Sequence, residues 1–325
     1  MSVKTNVLKT LEENRGSFFS GEDLAVKLAV SRAAVWKAIK ELEKEGYEIE
    51  AVQNRGYCLA INNDIISTEG IRTYLDDRNQ KIAITVDKVT ESTNKNAKMC
   101  AIAGGSHGTL FVAEQQTAGR GRRGRSFLSM KGNGIYMSLL LKATVNAENV
   151  VLITTAASVA VHRAILKVTG KKTAIKWVND LYYQKHKVCG ILTEAVTDCE
   201  SGMIDSIVLG IGINFKVERE NIPLELSDIV GALYEQEDAN ATRNELIAEI
   251  VNQVMVICDD LNNRDFLMDY RENSMVLGKE VNVIGSESNQ SATAIAIEDN
   301  GGLRVRYKDG EEEVLCTGEI SIRLT

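Results

Sequence analysis

The chain has 325 residues, enough for two or three domains, and its 44% hydrophobic and 26% charged residues are typical of a globular protein. Its formal net charge of −7 argues against a protein that coats nucleic acid without sequence preference, but it allows local basic surfaces. No apolar run approaches the roughly 18 residues of a membrane span, and the initial MSVKTNVLKTLEENRG lacks the apolar core of a signal peptide. We expect a cytoplasmic protein without a membrane partner.

The cysteines are scattered, with no CxxC pair and no metal-ligand spacing to the three histidines. Free buried thiols in a reducing compartment explain this usage better than disulfides or a metal site. The six cysteines are Cys58, Cys100, Cys189, Cys199, Cys258 and Cys316, and the histidines are His107, His162 and His186.

Three amphipathic helices are predicted up to Gly46. Apolar residues at helical spacing predict one over residues 3–13, Ser20 opens a second through a capping-box-like SGED, and Ser31 opens a longer third that Gly46 ends. Two short helices, a tight turn and a longer helix form the pattern of a helix-turn-helix. The following YEIEAVQNRGYCLA alternates as two short strands around residues 53–56, like the wing of a winged helix-turn-helix.

Basic residues converge on one side of this unit. Residues 31–40 carry only basic charges, whereas five acidic residues lie between Glu41 and Glu50. A helix-turn-helix sends this basic half into the major groove, and Arg55 lies at the wing tip, so we predict DNA binding; the alternative is a unit that mediates only protein contacts. The predicted DNA-binding residues are Ser31, Arg32, Trp36, Lys37, Lys40 and Arg55. Residues 61–70, INNDIISTEG, are predicted to be a linker.

From Ile82 onward, strands alternate with helices. Strands are predicted in IAITVD, GTLFVAEQQ, IYMSLLL, TAIKWV, VCGILTEAV and SIVLGIGINF, and helices in STNKNAKMCAIAG, ENVVLITTAASVAVHRAILKVTG and ATRNELIAEIVNQVMVICDDL. This mixture predicts an α+β sandwich, in which a mixed sheet carries helices mainly on one face. From Leu277, short strands separated by glycine-containing turns predict a small SH3-like β-barrel.

The stretch GRGRRGR, residues 119–125, lies between two predicted strands, and no acidic residue occurs from Gln115 to Ala147. Arginine supplies forked donors that match phosphate and carboxylate, while glycine supplies exposed amides and backbone freedom. A solvated charge run is seldom interleaved with glycine between buried strands, and an RGG-like nucleic-acid segment usually lies in a disordered tail. A phosphate-cradling loop that an anion orders fits best, although the motif is neither Walker A nor GxGxxG.

Three motifs in order carry a resemblance to a known family: AEQQTAGRGRRGR, KWVNDLYYQKHKVCGILTE and GIGIN. With the winged helix before them, they resemble the bifunctional biotin protein ligases, which also repress the biotin biosynthetic operon. The resemblance implies a class II synthetase-like central fold that makes biotinyl-5′-adenylate and pyrophosphate from biotin and ATP with Mg²⁺. The adenylate then acylates a lysine of a biotin carboxyl carrier domain, such as that of acetyl-CoA carboxylase. When adenylate accumulates, a homodimer is expected to bind operator DNA.

The resemblance also implies roles for residues of this chain. Contacts with biotin are implied for Ser92, Thr93, Asn94, Gln116, Gly119, Arg120, Arg122, Lys187 and Gly190. Contacts with ATP or the adenylate are implied for Arg122, Arg125, Phe127, Lys176, Asn179 and Asn214. The implied catalytic residues are Arg120, Arg122, Lys176, Asp180 and Lys187. Asp180 is expected either to hold the metal with the phosphates or to activate the carrier lysine.

Taken singly, several of these residues have simpler explanations. Ser92 could merely cap a helix, the Asn179-Asp180 pair could be a hairpin turn, and a single lysine is most often a surface residue. The chain also departs from the family at two positions. Phe127 stands where tryptophan is frequent, which leaves less area for stacking on adenine, and Val178 stands where proline is usual.

The predicted domains are a winged helix-turn-helix over residues 1–62, a catalytic domain over 63–274 and an SH3-like domain over 275–325. The function predicted from these features is a biotin protein ligase that is also a biotin-responsive repressor. The alternative is a noncatalytic regulator that senses a small anion through a degenerate ligase domain.

Overall fold

The computed structural model describes residues 2–142, 149–197, 203–217, 222–234, 239–284, 289–316 and 319–321. The chain forms two compact units, one of residues 1–80 and 240–249, the other of residues 81–239 and 250–325. The helices and strands within the described ranges are, in chain order, α1 Val3–Glu12, α2 Gly21–Leu28, α3 Arg32–Lys44, β1 Ile49–Val52, β2 Gly56–Leu59, α4 Thr68–Tyr74, β3 Ile84–Asp87, α5 Thr93–Ile102, β4 Thr109–Ala113, β5 Gly134–Lys142, α6 Asn149–Thr169, β6 Ala174–Lys176, β7 Asp180–Tyr183, β8 His186–Thr197, β9 Ile204–Asn214, α7 Arg243–Asp259, α8 Phe266–Glu272, β10 Glu280–Ile284, β11 Asn289–Ile297, β12 Leu303–Tyr307, β13 Glu312–Leu315 and β14 Glu319–Ser321.

The first unit contains the three helices and the wing that the sequence predicts. The side chains of Ser20 and Ser31 each accept a backbone N–H in the first turn of the helix that follows, which fixes where α2 and α3 begin. The apolar faces of α1, α2 and α3 meet in one core, which Leu59 of β2 completes. Strands β1 and β2 pair antiparallel across the predicted turn, so the winged helix-turn-helix is confirmed.

The predicted linker over residues 61–70 is wrong. Helix α4 begins at Thr68, and the residues before it are held by the first turn of α7. Asp64 accepts the backbone N–H of Arg243 at 2.7 Å and its guanidinium Nε at 2.9 Å, and the Asn244 side chain bonds the backbone of Ser67 and Ile65. Polar composition suggested a linker because the residues that bind this segment lie far away in the sequence.

The second unit is built on a seven-stranded sheet in the order β3-β4-β5-β9-β8-β7-β6. Strands β3 and β4 are parallel and the other neighbours are antiparallel, so the sheet is mixed. Strands β8 and β9 form its longest hairpin. The α+β fold class is therefore confirmed, although strand β7 was not predicted.

Helices α5 and α6 cover this sheet. Helix α5 packs against β4, β5 and β9, and α6 packs against β6, β7 and β8 and also against the unpredicted α8. The segment Val151–Thr169 of α6 is long and apolar enough to cross a membrane, which the sequence analysis did not anticipate. Because 72% of the segment's most apolar stretch is buried inside the protein, it has the character of a core helix.

The C-terminal strands form a five-stranded antiparallel sheet in the order β13-β12-β11-β10-β14, which agrees with the strands of the predicted SH3-like domain; closure into a barrel stays a prediction. The turn between β11 and β12 packs against the catalytic part of the same unit. The indole Nε1 of Trp177 donates to the Gly301 carbonyl at 3.0 Å, and a side chain at Gly301 would meet Thr155. Gly301 has a φ of +81°, a conformation that glycine adopts without strain.

The described cysteines carry free thiols, as predicted, but the prediction that they are buried is wrong for Cys316, which is exposed. Cys189 and Cys258 lie in apolar surroundings, and this burial raises the pKa of the Cys258 thiol to about 12. Cys199 lies outside the described residues. Among the residues that the structure describes, no group of three or more His, Cys, Asp or Glu side chains is placed to hold a metal ion.

Candidate active site

A pocket of about 970 Å³, including its open mouth, lies in the second unit. Its walls come from the start of α5, the arginine loop at 119–127, the β6–β7 turn and the central strands β8 and β9. It brings together most of the predicted site residues, namely Ser92, Thr93, Asn94, Gln116, Arg120, Arg122, Arg125, Phe127, Lys176, Asn179, Asp180, Lys187 and Gly190. Gly119 lies beside it, and Asn214 is not part of its wall.

One end of the pocket is neutral and rich in hydrogen-bonding groups. Ser92 stands at the N-cap position of α5, but its side chain makes no capping hydrogen bond, so the simpler explanation for this serine does not hold. Gln116 Oε1 accepts the backbone N–H of Thr93 at 2.9 Å, and Gln116 Nε2 donates to Ser129 at 2.9 Å. The orientation of the Gln116 amide is therefore fixed.

The arginine loop folds back on itself as a narrow hairpin. Gly121 donates to the Arg125 carbonyl at 2.7 Å, and Phe127 donates to the Gly119 carbonyl at 2.9 Å. A Cβ atom at Gly119 would lie 2.5 Å from the backbone carbonyl oxygen of Phe127, so glycine is required for this close approach. Arg122 donates to Asn179 Oδ1 at 3.0 Å, which ties the loop to the β6–β7 turn.

Phe127 lies on glycines of the two central strands. A Cβ atom at Gly212 would come within 2.6 Å of its ring, and one at Gly190 within 3.5 Å. Its ring also meets Tyr136 edge to face, with 6.3 Å between centroids. Glycine at these positions thus leaves room for an aromatic ring on the floor of the pocket.

The other end of the pocket is cationic, with one carboxylate among its described lining residues. The cations are Arg120, Arg122, Arg123, Arg125, Lys176 and Lys187. The carboxylate is Asp180, whose Oδ1 lies 2.7 Å from the Lys187 ammonium but receives no well-aligned hydrogen bond. Asp180 pairs with Lys176 on one side and Gly190 on the other in the sheet register, which brings three parts of the motif at residues 176–194 together.

The Asn179-Asp180 pair lies in a hairpin, as its simpler explanation states, and both residues also line the pocket; their contacts with ATP or a metal stay predictions. The hairpin joins β6 and β7, and Asn179 also bonds β8: its Nδ2 donates to the Ile191 carbonyl at 2.9 Å. The peptide bond between Trp177 and Val178 in this turn is cis. Asn214 donates to the carbonyls of Gly231 and Lys187, so it supports the backbone beside the pocket.

Sequence reasoning missed several pocket residues. Gly212 and Trp177 stand inside quoted motifs, and their neighbours were the signal that could have indicated them. Ile320 lines the pocket from strand β14 of the C-terminal sheet, and no local pattern marks it. Its contribution depends on packing between segments far apart in the sequence.

The predicted DNA-binding residues lie on the first unit. Arg32 and Trp36 are exposed on α3 and flank a groove whose other wall is the wing, while Lys37 is exposed on the same helix. Ser31 caps α3, and Lys40 pairs with Glu43 at 2.6 Å. Arg55 lies over the Phe18 ring, 3.9 Å from its centroid, at the wing tip.

The mixed sheet of the second unit carries a pocket with a neutral, hydrogen-bonding end and a cationic end. The first unit is a winged helix-turn-helix. Together these features define the class of protein, a ligase combined with a DNA-binding unit. The family models agree in chain order: a helix-turn-helix domain matches residues 4–58, the biotin/lipoate A/B protein ligase family matches residues 86–214, and the biotin protein ligase C-terminal domain matches residues 276–323.

Full-length relatives resemble the whole chain. The bifunctional ligase/repressor BirA of Bacillus spizizenii is 33% identical over 96% of this chain and 97% of its own length, and that of Escherichia coli is 28% identical over 95% and 94%. The biotin protein ligase of Aquifex aeolicus, solved with biotin and ATP, covers 75% of this chain and 99% of its own, with a TM-score of 0.64 and 28% identity. The chain belongs to the family of bifunctional ligase/repressors.

Proposed function

We propose that the chain activates biotin with ATP, releasing pyrophosphate, and then transfers the biotinyl group to one lysine of a biotin carboxyl carrier domain. The observation that carries this proposal is the two-ended pocket. Thr93 and Gln116 offer hydrogen bonds suited to a neutral ring urea, and the opposite end offers six cationic side chains suited to a carboxylate meeting a triphosphate.

In the first step, a carboxylate oxygen of biotin attacks the α-phosphorus of ATP and the bond to pyrophosphate breaks. Both reactants are anions, so their repulsion opposes the approach. Arg120, Arg122 and Lys187 are the cations we assign to the biotin carboxylate and the α-phosphate, and Lys176 and Arg125 to the remaining phosphates. Fixed cations reduce the repulsion and stabilise the charge that develops in the transition state.

Mg²⁺ bound with ATP would neutralise phosphate charge further. Mg²⁺ is commonly held by one or two carboxylates together with substrate phosphates. Asp180 suits such an ion because it is the one carboxylate among the described lining residues and its buried Oδ1 lacks a well-aligned donor.

In the second step, the amine of the carrier lysine attacks the acyl carbon of the adenylate, AMP leaves, and the amine loses a proton. Asp180 is the residue we assign to receive that proton in the absence of a bound ion. Lys187, whose ammonium lies 2.7 Å from Asp180 Oδ1, holds this carboxylate on the wall of the pocket.

The repressor activity is assigned to the first unit and operates on operator DNA of biotin genes. Arg32, Lys37 and Arg55 supply positive charge on α3 and the wing, in a chain with a net charge of −7. We propose that the adenylate favours a homodimer that binds the operator, because a ligand that orders the arginine loop can favour one partner surface over another. The free thiols accord with a cytoplasmic location.

Biotin-dependent exchange of pyrophosphate into ATP tests the enzymatic proposal directly. We expect exchange with biotin and none without it. A purified, folded chain that binds biotin but gives no exchange would leave the alternative of a noncatalytic regulator with a degenerate ligase domain.

A further inference from the structure

The backbone carbonyl of Val178, in the turn between β6 and β7, faces two buried hydroxyl groups. Tyr270 Oη on α8 lies 3.2 Å from this oxygen, and Ser158 Oγ on α6 also lies 3.2 Å from it. Tyr270 and Ser158 are fully buried, and Val178 is nearly so. Three segments far apart in the sequence therefore meet at one carbonyl of the turn that leads to Asn179 and Asp180.

Tyr270 carries the hydroxyl on which this carbonyl depends. Ser158 has a single hydroxyl hydrogen and also lies 2.9 Å from the Thr154 carbonyl of its own helix, so the nearer acceptor competes for that hydrogen. Among the described residues, the Tyr270 hydroxyl has no acceptor other than the Val178 carbonyl. Burial raises the pKa of the Tyr270 phenol well above its ordinary value, and the charge of Asp180 raises it further, so the phenol keeps its proton and remains a donor.

The peptide that Tyr270 holds leads directly to Asn179. The Val178 carbonyl and the Asn179 N–H belong to one planar group, so a donor that fixes the carbonyl also fixes the direction in which the chain enters Asn179. The Asn179 side chain then has two partners: its Nδ2 donates to the Ile191 carbonyl at 2.9 Å, and its Oδ1 accepts from Arg122 at 3.0 Å. A continuous path of hydrogen bonds and covalent structure thus runs from Tyr270 to the arginine loop.

Helix α8, which carries Tyr270, is fixed on two sides. Asp269 lies 2.7 Å from the guanidinium Nε of Arg163 on α6. Just after α8, the Asn273 carbonyl accepts the backbone N–H of Ile175 in β6 at 2.7 Å. The tyrosine therefore projects from an element that is bound both to the helix behind the sheet and to the strand that precedes the turn.

We propose that Tyr270 is a positioning residue that acts through the Val178 carbonyl and Asn179 to hold the arginine loop in place before a ligand binds. The inference rests on the proposed function, in which Arg122 meets the biotin carboxylate and the α-phosphate. A guanidinium has five N–H donors, so it can serve Asn179 and an anion together. A ligand that must order the loop itself binds more weakly, so a loop ordered in advance favours binding.

Cleavage by trypsin tests the order of the loop in the full-length protein without any ligand, because trypsin cuts after arginine where the backbone opens. Tyr270→Phe keeps the aromatic ring and removes only the hydroxyl. We expect cleavage within residues 119–126, followed by mass spectrometry, to become about two- to tenfold faster, as the loss of one buried hydrogen bond predicts. In an Asn179→Ala background, Tyr270→Phe should add nothing, because Tyr270 acts through Asn179.

The kinetics of biotin-dependent exchange separate positioning from a loss of folded protein. In Tyr270→Phe, we expect the KM for ATP to rise by about the same factor as the cleavage rate, with kcat close to that of the wild type, because saturating ligand restores the order of the loop. A variant that is merely destabilised loses active molecules, which lowers kcat and leaves KM unchanged. Unchanged cleavage and KM, a fall in kcat alone, or equally faster cleavage in the Asn179→Ala background would overturn the proposal.

Tyr307→Phe is the matched control, because the Tyr307 hydroxyl donates to Glu313 in the C-terminal sheet of the same unit, outside the pocket. It should leave cleavage and KM unchanged. Asn179→Ala alone should also speed cleavage of the loop, which keeps the test available if Tyr270→Phe folds poorly, and unchanged cleavage in Asn179→Ala would overturn the proposal. A wild-type protein without exchange would contradict the proposed function, whereas an active wild type with an unaffected Tyr270→Phe variant would contradict only the positioning role.

Discussion

Lys187 is the residue on which adenylation should depend most. Its ammonium lies at the meeting point of β7 and β8, 2.7 Å from Asp180 Oδ1, on the wall of the pocket. Lys187→Ala removes a fixed cation from the place where two anions must meet, and we expect exchange activity to fall by about 100-fold or more while the far-ultraviolet circular dichroism stays unchanged.

The control for Lys187→Ala is Lys172→Ala. Lys172 is an exposed lysine just before β6 in the same unit, and it is absent from the pocket wall. It should retain the exchange rate of the wild type. Near-normal exchange in Lys187→Ala itself would remove this lysine from the active site.

At the residue scale, the sequence motifs indicated the cationic side chains of the pocket but not the hydrogen bonds among its polar side chains. Arg120 was indicated by the arginine-glycine loop itself, whereas Lys187 and Asp180 were identified only through the resemblance of their motif to the ligase family. The hydrogen bond from Asn94 to Glu194 was not identifiable, although Glu194 stands in one of those motifs, because a single glutamate on a strand does not indicate its partner until both are placed in space. The Phe127 ring lies over Gly212 in the structure, and its stacking on adenine stays a prediction.

At the scale of elements, the turn between β11 and β12 supports the β6–β7 turn through one buried hydrogen bond. Trp177→Phe keeps the aromatic packing but leaves the Gly301 carbonyl without the indole donor. An unpaired buried carbonyl costs about 1–3 kcal/mol, so we expect the free energy of unfolding to fall by that amount in urea denaturation.

The other tryptophan provides the matched control. Trp36 is 56% exposed on α3, so Trp36→Phe should leave the free energy of unfolding within about 0.5 kcal/mol of the wild type. If both variants have the stability of the wild type, the Trp177 hydrogen bond does not hold the two turns together.

Elements with strong periodicity were predictable, and short ones were not. Helix α3 carries a serine cap and α6 carries a long apolar stripe, and these are local signals. Helices α4 and α8 have seven residues each, too few for a clear period. Asp64, in the segment before α4, binds Arg243. No property of the ten residues 61–70 could reveal a partner so far away in the sequence.

At the scale of the whole molecule, one chain joins a ligase to a DNA-binding unit, and the two activities should be separable by mutation. Deleting residues 1–62 should abolish operator binding, and persistent binding by the remainder would refute the winged-helix assignment. The deletion also removes helix α1, which packs against α4. It removes Arg15 as well, whose guanidinium donates to the Asn63 carbonyl at 2.6 Å. Reduced ligation by the truncated form would therefore not locate the active site.

A single substitution on α3 separates the activities without that disturbance. Lys37 is exposed in the basic half of the helix, so Lys37→Ala should weaken operator binding and lower the slope of log affinity against log salt by about one. Lys44→Ala, an exposed lysine in the acidic half of the same helix, should change neither. Both variants should keep wild-type exchange activity, since α3 contributes no residue to the pocket. An unchanged salt slope for Lys37→Ala would mean that this face of α3 does not meet phosphate.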